Sequence, residues 1–110
     1  MKAVEGMARL RAARLAGALI LAVAMGTGCA ARWAYHQGQA AAEKGNWDLA
    51  VARLTRALDK DSKNIGYKIA LESARIQASR HHYEQAKKQL AANDLLKAAE
   101  ELQIASNYDP

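Results

Sequence analysis

Residues 65–92 read IGYKIALESARIQASRHHYEQAKKQLAA. This stretch holds no proline, its only glycine is Gly66 near the start, and nothing in it alternates with period 2. Alanine and straight-chain residues dominate, so the stretch predicts one helix, about 42 Å long at 1.5 Å per residue. Within it Ile69, Ile76, Tyr83 and Leu90 recur every seven residues. The companion positions Glu72 and Ser79 are polar, so this apolar seam reads as the core-facing stripe of an ordinary helix rather than a coiled coil.

On either side of this stretch the helical pattern breaks at Gly45-Asn46, at Asp61-Ser62-Lys63-Asn64 and at Asn93-Asp94. Gly and Asn tolerate the left-handed backbone that ends a helix, and Asn or Asp caps the next one. Four helices follow, near Arg32–Lys44, Trp47–Lys60, Ile65–Ala92 and Asp94–Asn107. The expectation is an all-α protein with one long central helix. Composition agrees: 51% of the 110 residues are apolar but only 5% are aromatic, which suits helices packed through Ala and Leu. One cysteine excludes an internal disulfide framework and cannot alone build a zinc site.

Sliding the chain over itself by 48 residues pairs Arg32 with Arg80, Tyr35 with Tyr83, Ala50 with Ala98, Leu54 with Leu102, Ala57 with Ala105 and Asp61 with Asp109. Small residues fall at Gly38, Ala50 and Ala57 in the first copy, and at Ala86, Ala98 and Ala105 in the second. Antiparallel helices approach closely only where facing side chains are minimal. These positions, with GNWDLA at 45–50, resemble the tetratricopeptide repeat, a helix-turn-helix unit of about 34 residues. The departures are Ser62 in place of the repeat's proline, and Ala34 and His82 in place of its frequent tryptophan. The resemblance divides the chain into a first hairpin at 29–64, an inserted helical extension at 65–78 and a second hairpin at 79–110. The second hairpin ends at the family's usual Asp-Pro. A repeat array normally needs a capping helix, so the expectation is either a longer protein or a partner that supplies the cap.

Upstream, Lys2, Arg9, Arg11 and Arg14 precede an uncharged run, Leu15–Ala31, too short to span a bilayer comfortably. The run ends in MGTGCA, at Met25–Ala30, which resembles the lipobox of bacterial lipoproteins although Gly26 stands where leucine is preferred. That resemblance makes residues 1–28 a signal-peptide helix and Cys29 the lipidated residue. It implies an outer-membrane lipoprotein facing the periplasm; an uncleaved anchor and plain secretion are the alternatives. The net charge of +5 belongs mainly to the leader, because from Cys29 onward 12 basic residues face 10 acidic ones. A nucleic-acid partner is therefore not expected.

The order of a lipobox, a repeat hairpin and a long helix with YKIALESAR (Tyr67–Arg75) is similar to the N-terminal leader of bacterial secretins of type II secretion and type IV pilus machines. The resemblance implies a non-enzymatic scaffold or protein-protein interaction module in such an apparatus, with other envelope proteins as partners. The alternative is a stand-alone periplasmic peptide-binding adaptor in outer-membrane biogenesis.

Residues that carry chemistry are sparse. Cys29 has His36 two turns on, but a lipidated thiol is no nucleophile. His81 and His82 diverge by about 100° on a helix, too far apart to chelate together, and read as solvated. Glu100 and Glu101, near Lys97, read as a solvated face. No phosphate loop, metal motif or hydrolase motif occurs, so no enzyme activity, cofactor, metal or small-molecule substrate is expected. Binding remains. The resemblance places Arg32, Tyr35 and Gln39, then Arg80, Tyr83 and Lys87, along a concave groove suited to a peptide. The alternative leaves Tyr83 in the apolar seam and both arginines solvated.

Overall fold

A computed structural model of the chain describes residues 9, 11, 13, 14 and 28–110. The leader expectations for residues 1–27, with the Gly26 and Thr27 part of the lipobox, lie outside the described residues apart from Arg9, Arg11, Ala13 and Arg14, which are helical and exposed. From residue 28 onward the chain is all-α: α1 (28–43), α2 (Trp47–Lys60), α3 (Ile65–Ala91) and α4 (Leu95–Tyr108), with no strand among the described residues. No helix among them is long and apolar enough to cross a membrane.

The turns explain the helix boundaries. Gly45 closes α1 at φ 73°, where a side chain would be strained, and Asn93 closes α3 in the same left-handed region at φ 59°. Asn46, Asn64 and Asp94 then cap α2, α3 and α4, each side-chain oxygen accepting the backbone N–H three residues on. The first and last turns share one hydrogen-bond pattern. Gly45 and Asn93 donate to the carbonyls of Ala42 and Leu90, and Asn46 and Asp94 to those of Ala41 and Gln89. The pattern recurs at the helix ends, where Asp61 and Asp109 donate to Ala57 and Ala105. The 48-residue register is thus a repeat of backbone geometry as well as of letters.

α3 is the spine. α2 and α4 both run antiparallel to it and share one of its faces, made of Leu71, Ala74, Ala78, His82 and Ala86. The residues across from them are equally small: Ala50 and Ala57 on α2, Ala98 and Ala105 on α4, all buried. This overturns the reading of the heptad seam. Ile69, Ile76, Tyr83 and Leu90 are 46–65% exposed and turned away from the core. Two helices can lie close against α3 only over its smallest side chains, so bulk was the wrong guide to the inner face.

The first hairpin closes on a cluster of Ala41, Ala50, Leu54, Leu71 and Ala74, with Tyr35, Val51, Leu58 and Ala70 packed around it. Gly38 lets α1 reach α2: a methyl group there would sit 2.7 Å from Leu54 Cγ and 3.3 Å from the Leu54 backbone nitrogen. Gly38→Ala is therefore expected to destabilise by about 1–2 kcal/mol in a urea titration, overpacking outweighing the gain in helix propensity. A stabilised variant would refute this account of the interface.

Candidate functional site

Two features stand out on the α3–α4 hairpin, and they lie on different sides of it. The first is an open groove of about 390 Å³ lined by Ile76, Ser79, Arg80 and Tyr83 of α3 and by Leu102, Ala105, Ser106 and Asp109 of α4. Ser79 Oγ donates to the Ala105 carbonyl at 2.9 Å and fixes the groove floor. Tyr83 is 51% and Leu102 42% exposed, so the groove is open and shows large apolar side chains beside the polar Arg80, Ser106 and Asp109.

The binding candidates divide between this groove and a closed place. Arg80 and Tyr83 line the groove, and Lys87 sits 5.6 Å from the Tyr83 ring while paired with Glu84 at 3.0 Å. Arg32, on α1, is exposed. Tyr35 is covered: Tyr67 stacks on it with ring centroids 4.7 Å apart, and its hydroxyl accepts the Gln39 amide at 2.7 Å. The six residues therefore do not form one continuous surface. Cys29 is a free, exposed thiol at the start of the described part of α1, and His36 is exposed as well.

The second feature is a polar junction that the sequence reading missed. His81 is exposed, as expected, but His82 is 9% exposed and buried against two other helices, a correction to its reading as solvated. Its Nδ1 lies 2.6 Å from Glu101 Oε2 on α4, and its Nε2 2.9 Å from Asp48 Oδ1 on α2. An ionised carboxylate only accepts, so the two bonds form together when both ring nitrogens carry a proton, and the site favours the imidazolium. Tyr108 stacks on the ring and donates its hydroxyl to Asp48 at 2.7 Å, while Arg75 Nε donates to the Tyr108 carbonyl. Glu101 is half-buried, and so does not belong to a solvated face.

The titration behaviour follows from this geometry. Burial is the largest influence on His82 and disfavours the charged ring, yet the hydrogen bonds and charges of Glu101 and Asp48 together outweigh it and raise the pKa above 6.5. For Asp48, burial pushes upward, but the Tyr108 hydroxyl and His82 bring it below 3.8. Burial and the bond to Asp48 push Tyr108 up to about 12. The signal that could have found His82 is its place in the series 74, 78, 82, 86, where every other member is a small core alanine. Among the described residues no cluster of His, Cys, Asp and Glu could hold a metal ion.

None of the family models, curated proteins or solved structures compared with the chain matches it.

Proposed function

We propose that this chain is a tetratricopeptide-like, non-enzymatic interaction module, tethered in the bacterial envelope through a lipid on Cys29. In this reading it works as part of, or accessory to, a secretin-type secretion or pilus apparatus. The observation that carries the reading is the open α3–α4 groove, whose large apolar side chains, Ile76, Tyr83 and Leu102, stay exposed among the described residues. An open cleft that sets exposed Ile76, Tyr83 and Leu102 beside the polar Ser79, Arg80, Ser106 and Asp109 is a surface suited to a partner. The duplicated turn bonding and the buried small residues at Gly38, Ala50, Ala57, Ala86, Ala98 and Ala105 support a pair of repeat hairpins. The exposed thiol of Cys29 suits lipid attachment.

Fractionation of cells making the full chain tests the tether. The wild type is expected in the outer-membrane fraction with incorporated palmitate, and Cys29→Ser is expected to lose both. A photo-crosslinker at position 83 is expected to capture one reproducible envelope protein, lost on Leu102→Glu. Recovery of cytoplasmic proteins alone, or a Cys29→Ser chain that fractionates unchanged, would defeat the reading.

A further inference from the structure

The open groove has a filled counterpart in the same molecule. Shifted back by 48 residues, Arg80, Tyr83, Leu102, Ala105 and Asp109 become Arg32, Tyr35, Leu54, Ala57 and Asp61, which line the α1–α2 hairpin. There Leu54 is 2% exposed rather than 42%, because the start of α3 covers it. The covering face is made of Tyr67, Ala70, Leu71, Ala74 and Ala78. Tyr67 stacks on Tyr35, Leu71 and Ala74 join the cluster around Leu54, and Asn64, which caps the incoming helix, donates its amide to Asp61 at 3.2 Å. The molecule therefore displays both a lock and the key that fits it, and a second lock of the same form that stands open.

We propose that the α3–α4 groove takes an α-helix of a partner protein whose inner face repeats that of residues 67–78. Such a helix carries an aromatic ring, then Ala and Leu three and four residues on, and Ala seven and eleven residues on. Its ring stacks on Tyr83, its Leu covers Leu102, its small residues admit Ala105, and a donor at its N-cap bonds Asp109. A second copy of this chain is not the occupant. Its own segment of this pattern is already spent inside the first hairpin, with Leu71, Ala74 and Ala78 buried. The proposal rests on the reading of the groove as a docking surface and names the chemistry of what docks.

The test uses the molecule's own key as probe. A labelled peptide with the sequence of residues 64–78 is titrated into the full chain, with amide resonances as readout. Shifts are expected at Leu102, Ala105 and Tyr83, and Leu102→Glu is expected to weaken binding by roughly tenfold or more. Leu102 is exposed, so that variant keeps its helix content. An isolated peptide this short is barely helical, so residues 63–78 are also appended directly after Pro110, in the register that α3 keeps after Asp61 and Ser62. Amide exchange around Leu102 is expected to slow by about tenfold or more in the extended chain. Unchanged exchange there would overturn the proposal, as would peptide binding that survives Leu102→Glu, or sedimentation of the unextended chain as a dimer through this face. These readouts need no envelope partner. Failure of the key thus leaves the cellular capture at position 83 standing, and failure of the capture leaves the key standing.

Discussion

Replacing His82 with alanine is expected to lower the unfolding free energy by about 3 kcal/mol near pH 6, measured by urea denaturation. His82 makes two charge-assisted bonds, each worth about 1.5–3 kcal/mol when well enclosed. The lower end applies here, because the Asp48 side chain is 54% exposed and rehydrates when its partner is lost. Glu101, at 27% exposure, is left the more stranded of the two. The same junction sets a pH profile. His82 has a raised pKa in the fold, so its contribution is complete below about pH 6.5 and is lost as pH rises through the folded value. Asp48 has a lowered pKa, so its contribution holds above about pH 3.8 and is lost as pH falls through the folded value. The Tyr108 contribution holds below pH 10 and is lost as pH rises toward its raised value of about 12. The wild type is therefore most stable between about pH 4 and 6.5, and weakens above that range, whereas His82→Ala lacks the decline above pH 6.5. Equal pH profiles for the two proteins would show that His82 is not the bridging cation.

How much of this was legible in the sequence follows from what each residue has to do. The helix boundaries were, because Gly45, Asn46, Asn64, Asn93 and Asp94 act through their own backbone and side chain within three or four residues. The inner face of α3 was not. Large apolar residues stand on its outer side as well, so a period counted on bulk selected Ile69, Ile76 and Leu90 over Ala74 and Ala78. Read instead for smallness, the alanines at 74, 78 and 86 mark the face that α2 and α4 press against. The groove was half legible: Arg80 and Tyr83 were singled out, but their counterparts at 32 and 35 were given the same role. The closure of Tyr35 by Tyr67 depends on α3 passing over the first hairpin and not over the second. The His82 junction was least legible, since its two acceptors, Asp48 and Glu101, lie 34 and 19 residues away and the ring stacked on it, Tyr108, lies 26 away. Only tertiary packing brings Asp48 from the first turn of α2 to the last turn of α4.

The two leucines that the 48-residue register makes equivalent should respond very differently to the same truncation. Leu54→Ala is expected to cost about 3 kcal/mol and roughly 15 °C in Tm, because Leu54 is 2% exposed and enclosed by α1, α2 and α3, so its removal leaves a cavity. Leu102 is its counterpart in the second hairpin, where Ala86 and Ala98 replace Gly38 and Ala50 in the register, but it is 42% exposed. No cavity forms at a surface that solvent already reaches, so Leu102→Ala should lose only the transfer term, about 1 kcal/mol. Paired urea titrations of the two variants make the comparison without any partner. Equal losses would mean that the second groove is already covered in the folded chain, and the docking surface would have to be sought elsewhere. A threefold difference, which shrinks when residues 63–78 are appended after Pro110, would tie the smaller loss at Leu102 to the open groove around it. The exposed leucine would then mark the spot where binding free energy is held in reserve: whatever helix covers Leu102 recovers the same packing that Leu71 already supplies to Leu54.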